Sequence, residues 1–210
     1  MMEPRPTRRP DPDWCPWERA ISNNIGIHYP IGGYYSVSLG KLTSPTVTGG
    51  MVYLCSWNRH LYAVDTITGK RRWQYLTGDE ISSPPTVANG VVYLGSSHLY
   101  AVDAATGELR WKYPIGCRIS GSPAIADRVI YLGGNDKHLH AVDAATGELR
   151  WKYPIGCRIS GSPAIADGVI YLGGNDKHLH AVDTAKGELR RWKYPTGWRI
   201  RGSPAIADGV

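Results

Sequence analysis

The sequence of 210 residues contains no phenylalanine, only three methionines and only four cysteines. It has no run of about 18 apolar residues, so no segment has the character of a membrane-spanning helix. The first residues are rich in proline and arginine, and they lack the apolar core of a secretory signal. The sequence as it stands therefore predicts a cytoplasmic protein. A periplasmic or extracellular location is expected instead if the N-terminus is incomplete.

The cysteines form no CxxC motif and no adjacent pair. Cys117 and Cys157 hold the same place in two copies of a repeat. We expect their separation to exceed the roughly 7 Å between Cα atoms that a disulfide allows. The sequence therefore predicts four free thiols and no zinc site, at Cys15, Cys55, Cys117 and Cys157.

What is abundant is a repeat of roughly 40 residues. Residues 98–127 and 138–167 differ at one position, where Tyr100 in the first copy corresponds to His140 in the second. Catalytic sites are usually single, so verbatim copying points to architecture. The same interval separates the Ser-Pro pairs that begin at Ser44, Ser83, Ser122, Ser162 and Ser203.

Each unit divides into four short strands, written SPAIAD, VIYLGG, HLHAVD and ELRWKYP in the third copy. Asn89-Gly90 and Asp167-Gly168 have the composition of a two-residue type I′ hairpin, in which both residues need a positive φ. Arg128 occupies the hairpin position at which other copies have Gly90 or Gly168, so we expect a strained arginine there. The fourth copy has one arginine more than the others, at Arg190 or Arg191, which predicts a β-bulge before Trp192.

Four strands per unit, copied in series, predict an all-β fold, namely a β-propeller of about four and a half blades. Helical repeats are excluded because no segment has a 3.6-residue period. The ring is then partial. The chain is a fragment of a longer product, or further copies complete the ring, or it forms an open arc or a small closed ring.

The segment AVDAATGELRW, present at residues 101–111 and 141–151, resembles the tryptophan-docking motif of pyrroloquinoline-quinone (PQQ)-like propeller repeats. The resemblance covers residues 34–210, and residues 1–33 are expected to be a poorly ordered tail. It implies a ring of eight or, less often, seven blades, with the tryptophan packed between blades. Matching positions are Ala63, Asp65, Gly69 and Trp73; Ala101, Asp103, Gly107 and Trp111; Ala141, Asp143, Gly147 and Trp151; and Asp183 and Trp192.

The resemblance also implies one enzymatic alternative, a PQQ-dependent dehydrogenase with Ca²⁺ and a catalytic Asp. The sequence has no adjacent cysteines and no long insertion that would build such a pocket. The repeated Asp residues belong to the docking motif, and the repeated His residues lie on separate blades. We therefore predict no catalytic residue, no metal site and no cofactor.

A basic loop face is the remaining candidate site. The loops before the first strand and between the second and third strands of each blade emerge on the same face. Such a face attracts anions, of which nucleic acid is the least expected because no aromatic platform or DNA-reading motif accompanies it. The candidate residues are Arg118, Arg158, Arg199, Lys137, Lys177, His138 and His178.

The function predicted from the sequence is a non-catalytic propeller module that binds a protein or ligand. The chain resembles PQQ-like propellers that lack quinone chemistry, and this resemblance implies a role as an interaction scaffold. The expected partner is another protein, or a second copy that completes the ring. Two alternatives stay open: a fragment of a PQQ-dependent dehydrogenase, and a propeller that binds anions or glycans through its basic face.

Overall fold

The structure, a computed structural model, describes residues 41–207, with the side chains of residues 189–191 left out. Cys15 and the tail expected at residues 1–33 lie outside the described residues. Within the described part of the chain, no helix is long and apolar enough to cross a membrane.

Sixteen strands form four separate four-stranded antiparallel sheets, each from consecutive strands. The all-β class and the four-stranded blades are confirmed. Blade 1 comprises β1 (Thr46–Thr48), β2 (Met51–Cys55), β3 (His60–Asp65) and β4 (Arg71–Leu76). Blade 2 comprises β5 (Thr86–Ala88), β6 (Val91–Gly95), β7 (His98–Asp103) and β8 (Leu109–Pro114). Blade 3 comprises β9 (Ala124–Ala126), β10 (Val129–Gly133), β11 (His138–Asp143) and β12 (Leu149–Pro154). Blade 4 comprises β13 (Ala164–Ala166), β14 (Val169–Gly173), β15 (His178–Asp183) and β16 (Leu189–Pro195).

The first hairpin of each blade has the predicted turn. Asn89 and Gly90 have φ values of 50° and 71°, and Asp167 and Gly168 have values of 48° and 70°. Arg128 has a φ of 62°, so the predicted left-handed arginine is confirmed. Because a Cβ atom crowds the backbone in this region, Arg128 carries a strain that glycine avoids at the same position.

A β-bulge interrupts the pairing of the third and fourth strands in every blade. In blade 3, Ala141 pairs with Trp151 and Val142 pairs with Leu149, which leaves Arg150 as the extra residue. The sequence predicted a bulge in blade 4 alone. There the irregularity is larger, because His180 pairs with Lys193 and Val182 pairs with Leu189. A bulge therefore absorbs the extra arginine, as predicted, but the irregular segment extends beyond the predicted position, past Trp192 to Lys193.

The sequence of the fourth strand alternates, which predicts Leu149, Trp151 and Tyr153 on one buried face and Glu148, Arg150 and Lys152 on a wetter face. This prediction is correct only after the bulge. Trp151 and Tyr153 are half-buried and Lys152 is exposed, as expected. Leu149 was expected on the buried face, but 41% of it is exposed. The bulge is the physical reason, since it shifts Leu149 out of the two-residue period that Trp151 and Tyr153 follow.

The core lies between blades. The second strands are apolar on both faces. β6 and β10, which have a blade on either side, are buried along their whole length. The blade 3–blade 4 cluster joins Tyr131 and Leu139 to Ile170, Leu172 and Val182. The first strand predicted for a fifth unit is not formed within the described residues 203–207. A three-residue inner strand depends on its hairpin partner, and no strand among residues 41–207 pairs with this segment.

Candidate functional site

One tryptophan in each of blades 1, 2 and 3 reaches across to the next blade. The indole Nε1 of Trp73 donates to the Ala104 carbonyl at 3.1 Å, and that of Trp111 donates to the Ala144 carbonyl at 3.2 Å. Trp151 donates in the same way to Thr184 at 3.2 Å. The accepting residue directly follows the Asp of the next motif. The indole therefore combines apolar packing between blades with a satisfied polar edge.

The Asp of each motif organises the turn on which that indole rests. Asp103 accepts hydrogen bonds from the backbone N–H groups of Ala105 and Thr106, both at 2.9 Å. It also forms an ion pair with Arg110 at 2.7 Å. These bonds, that of Arg110 first, lower the pKa of Asp103 to about 2. Asp143 makes the equivalent bonds to Ala145 and Thr146 and pairs with Arg150. Ala63, Ala101 and Ala141 are fully buried in the third strands.

The two loop types expected on one face do meet there. Asn135, between β10 and β11, donates its backbone N–H to the carbonyl of Arg118, in the loop before β9, at 3.2 Å. Asn175 and Arg158 repeat the contact at 3.1 Å. The side chains of Arg118 and Arg158 are exposed on this surface, which we name the rim.

Arg118 is held in place from two sides. Its Nε donates to Ser82 Oγ at 3.0 Å, and its guanidinium carbon lies 5.4 Å from the centre of the Trp57 ring. Lys41 Nζ lies 4.8 Å from the same ring. Trp57 thus contacts two cations, Lys41 and Arg118, both of which are exposed to water. A guanidinium fixed in this way is prepared to bind a carboxylate with little loss of side-chain entropy.

Further along the rim, Lys177 and Arg199 meet. Together with Trp198 and Arg201 they line an open hollow of about 470 Å³. Lys177 belongs to the loop between β14 and β15, and its carbonyl accepts a hydrogen bond from Thr196 N–H at 2.8 Å. Among residues 41–207, no acidic residue lines this hollow, so its potential is positive.

Lys137 is exposed and has a φ of 68°. Its carbonyl accepts from Ile155 and Gly156, which places it beside the loop that carries Arg158. The basic pattern changes at blade 2, where Glu80 precedes Ile81 as Arg118 precedes Ile119. The rim is therefore acidic at blade 2 and basic from blade 3 onward.

The candidate residues His138 and His178 are engaged within their own loops. The ring Nδ1 of His138 lies 2.7 Å from the Asp136 carbonyl, and that of His178 lies 2.8 Å from the Asp176 carbonyl. About 37% of the side chain of His138 is exposed. These imidazoles fix the loop between the second and third strands and contribute less to the rim than the arginines do.

Sequence reasoning missed a buried histidine–aspartate pair beside the rim. His140 is fully buried, and its Nε2 lies 2.8 Å from Asp136 Oδ2. Burial lowers the pKa of His140, against the opposing effect of Asp136, so we assign a neutral imidazole that donates from Nε2. His180 and Asp176 repeat the pair at 2.9 Å in blade 4. In blade 2, the Tyr100 hydroxyl instead donates to the Thr77 carbonyl at 2.6 Å.

The thiols are buried or engaged. Cys117 Sγ accepts from Asp136 N–H at 3.1 Å, and Cys157 Sγ accepts from Asp176 N–H at 3.2 Å. Burial raises the pKa of both thiols, which keeps them protonated. Cys55, Cys117 and Cys157 are free thiols in the structure.

The described residues do not fit a quinone with its calcium ion. Between residues 41 and 207, no group of three or more His, Cys, Asp or Glu side chains has a metal-binding arrangement. Asp103 and Asp143 are committed to turn N–H groups and arginines, and Asp136 and Asp176 accept from buried histidines. An oxygen-rich calcium site needs several uncommitted carboxylate or carbonyl ligands, which this donor set does not supply.

Trp57, Trp198 and Lys41 are rim residues that the sequence analysis did not single out. A signal for the tryptophans was present in the repeat. Trp57 precedes Asn58-Arg59 where other copies have Asn135 or Asn175, and Trp198 replaces Cys117 and Cys157. An aromatic residue that departs from its repeat on an exposed loop is a stronger functional signal than one that follows it.

Blades of four strands, joined by a tryptophan of each blade on the docking turn of the next, define a β-propeller built from PQQ-like repeats. A family model described as outer membrane protein assembly factor BamB matches residues 35–118 and 95–209. The chain belongs to this family, and the PQQ-like repeat assignment made from the sequence is confirmed.

Solved structures agree on the fold. BamB from Moraxella catarrhalis is 23% identical with a TM-score of 0.62, over 73% of this chain and 50% of that one. Quinohemoprotein alcohol dehydrogenase from Comamonas testosteroni is 19% identical with a TM-score of 0.66, over 77% of this chain and 36% of that one.

A relative found by sequence is similar over a shorter stretch. The serine/threonine-protein kinase AfsK of Streptomyces griseus is 47% identical over 53 residues, which are 25% of this chain and 7% of the kinase. The chain thus spans at most half the length of these relatives.

Proposed function

We propose that this chain is a non-catalytic propeller module that binds an acidic segment of a protein partner along the basic part of its rim. The observation that carries the proposal is the fixed position of Arg118. Its Nε donates a hydrogen bond to Ser82 Oγ at 3.0 Å, and its guanidinium carbon lies 5.4 Å from the centre of the Trp57 ring. Arg158 and the hollow of Lys177, Arg199 and Arg201 extend the positive surface.

Two further features support a binding module over an enzyme. The family description names an assembly factor, and assembly requires contact with other proteins. The two buried histidines of the described residues are each bonded to an aspartate, His140 to Asp136 and His180 to Asp176, so neither histidine is available to a substrate at the surface. Loops on a rigid propeller are well placed for recognition without chemistry.

A protein segment is preferred over a glycan or nucleic acid as the partner. The rim changes sign between Glu80 at blade 2 and Arg118 at blade 3, so a matching partner carries an ordered pattern of charge. Repetitive polyanions lack such a pattern. They would bind by net charge, with an affinity that falls steeply as salt rises.

The test compares two double charge reversals with equal change in net charge. Arg118→Glu with Arg158→Glu alters the rim, whereas Lys70→Glu with Lys186→Glu alters exposed turns between third and fourth strands, on the opposite face. Binding of a synthetic acidic peptide is measured by calorimetry. We expect the rim variant to weaken binding at least tenfold, and the control to stay within about twofold.

Three results would overturn the proposal. One is an absence of peptide binding by the wild-type chain. Another is equal weakening by the rim and control variants, which would show a response to net charge alone. The third is tighter binding of a heparin fragment or of oligothymidylate than of the peptide, which would reassign the rim to glycans or nucleic acid.

A further inference from the structure

Every junction between two blades joins the same two surfaces. We define these two surfaces, the donor face and the acceptor face, by the residues at the junction between blades 3 and 4. The donor face of a blade holds the second-strand tyrosine, the third-strand leucine and the fourth-strand tryptophan and tyrosine, which in blade 3 are Tyr131, Leu139, Trp151 and Tyr153. The acceptor face of the next blade holds three aliphatic residues and the motif glycine, which in blade 4 are Ile170, Leu172, Val182 and Gly187.

These junctions are tightly packed. Leu139 is fully buried and Tyr131 is 1% exposed on the donor side, and Ile170, Leu172 and Val182 are fully buried on the acceptor side. A Cβ atom at Gly187 would lie 2.4 Å from Cε3 of Trp151, so the indole occupies the space that a side chain would need. Each junction is therefore a piece of protein core rather than a loose contact.

The four donor residues of blade 4 are not covered by the described residues. Ile200 packs against Gly173 and Ser203 Oγ accepts from Ser162 N–H at 2.8 Å beside them, so a docked blade must displace this short segment. Trp192 is 44% exposed and Tyr194 is 61% exposed. Tyr171 and Leu179 are partly exposed, although the equivalent Tyr131 and Leu139 are buried. The Tyr171 and Trp192 rings are 6.2 Å apart, close to the 5.8 Å between Tyr131 and Trp151. The bulge before Lys193 thus keeps Trp192 on the donor face in spite of the extra arginine.

The acceptor face of blade 1 is likewise uncovered within residues 41–207. Val52, Leu54 and Val64 are partly exposed, whereas their equivalents Val92, Leu94 and Val102 in blade 2 are fully buried. Gly69 has the turn conformation of the motif, with a φ of 64°, yet no described atom lies within 4 Å of its Cβ position. It is a docking turn without a docked tryptophan.

We propose that the donor face of blade 4 binds the acceptor face of blade 1 in a second copy of this chain. The repeat makes the two surfaces complementary, because copies of each already form three junctions inside one molecule. Trp192 of one copy packs on Gly69 of the other and donates to the Thr66 carbonyl, the position that corresponds to Ala104, Ala144 and Thr184.

Two such junctions close a ring. The two faces differ from each other, so their contact is heterologous and produces either a closed ring or an open filament. Two copies supply eight blades, at the upper end of the common range of four to eight for propellers, and three copies would exceed it. Closure within one copy would bury Trp192 and cover Gly69, and the structure shows neither. The geometry therefore favours a dimer.

The experiment measures the mass of the 210-residue chain by light scattering and sedimentation over a range of concentrations. We expect twice the monomer mass for the wild type. Trp192→Glu places a charge on the donor face and should weaken the dimer by about 30-fold or more. Leu149→Glu is the matched control, since Leu149 is 41% exposed on β12 of blade 3 and lies outside the donor face of blade 4.

A mixing experiment tests the pairing of the two faces. Val52→Glu alters the acceptor face alone. Each of the two variants by itself should be monomeric with an unchanged far-ultraviolet spectrum. Mixed together they retain one intact junction, between blade 4 of the Val52→Glu copy and blade 1 of the Trp192→Glu copy. We expect the mixture to form a one-to-one heterodimer.

Several outcomes would overturn the proposal. If the wild-type chain is a monomer at high concentration, the dimer proposal is wrong whatever the variants show. A dimer that survives Trp192→Glu, or one that Leu149→Glu disrupts equally, places the interface elsewhere. A mass that grows steadily with concentration replaces the closed ring with a filament. The rim residues are unchanged in the donor- and acceptor-face variants, so peptide binding and ring formation fail or succeed separately.

Discussion

The indole of Trp111 lies directly on Gly147 of the next blade. A Cβ atom at Gly147 would be 2.6 Å from both Cδ2 and Cε3 of that ring, well inside van der Waals contact. The glycine also has a φ of 77°. Gly147 is therefore required twice, once by the backbone conformation of its turn and once by the ring that covers it.

Gly147→Ala should separate these two requirements when compared with Gly116→Ala. Gly116 has the same φ of 77°, but nothing lies within 4 Å of its Cβ position. We expect Gly116→Ala to cost about 1 kcal/mol of unfolding free energy from backbone strain alone. Gly147→Ala should cost about 1–3 kcal/mol more, because the indole is displaced. Urea denaturation measures both, and equal losses would show that the ring yields without penalty.

Arg128→Gly should stabilise the chain. The arginine occupies a left-handed turn position, with a φ of 62°, where the other blades have Gly90 or Gly168. Relief of strain outweighs the entropy that glycine adds to the unfolded chain, so the expected gain is about 0.5 kcal/mol. The reciprocal Gly168→Arg change should lose a similar amount. Thermal melts of the pair report the sign, and a gain from Gly168→Arg would contradict this account.

The blades were predictable because each copy restates the same constraints. Asn89-Gly90 and Asp167-Gly168 specify hairpins by chemistry that acts within two residues, and Trp111 and Trp151 recur at one interval. The bulge common to all blades was not predictable in this way. It depends on how Val142 pairs across to Leu149, a contact whose register no single strand reveals. The exposure of Leu149 follows from that pairing.

The site was predictable only in part, for a related reason. Placing Arg118 and Lys177 on one face needed only the topology of a blade. The packing of Arg118 on Trp57 did not follow, because these residues are distant in sequence and belong to different blades. The burial of the His140–Asp136 pair did not follow either. His140 in β11 and Asp136 in the preceding loop are close in sequence, but the imidazole is packed against Tyr113 of the neighbouring blade.

Acid should destabilise the chain through His140 and His180. Burial lowers the pKa of both from 6.5, so the unfolded chain binds more protons than the folded one as pH falls below that value. Stability is then lost as pH decreases, by up to about 1.4 kcal/mol per pH unit for each proton. The groups that face His140 are Asp136, His138 and Lys152, and Asp136 opposes the effect.

The measurement is the urea midpoint between about pH 7.5 and pH 5, above the range in which carboxylates titrate. The double change His140→Tyr and His180→Tyr copies Tyr100, which occupies the same position in blade 2 without a titrating group in this range. We expect the double variant to have a flatter pH profile than the wild type. A profile of equal slope would assign the acid sensitivity to other groups.

Deletion of Arg191 tests how a propeller tolerates an extra residue. In blade 4, Tyr194 pairs with Leu179 and Pro195 pairs with His178, the same register that Tyr153 and Pro154 have in blade 3. The surplus residue is confined to the bulge, so its deletion leaves Trp192 on the donor face. We therefore expect an unchanged mass by light scattering and a stability that is equal or higher by about 0.5 kcal/mol.

If the arginine instead set the position of Trp192, deletion would turn the indole to the opposite face, because side chains alternate along a strand. The variant would then lose the dimer, and this result would also remove the structural basis for docking by blade 4.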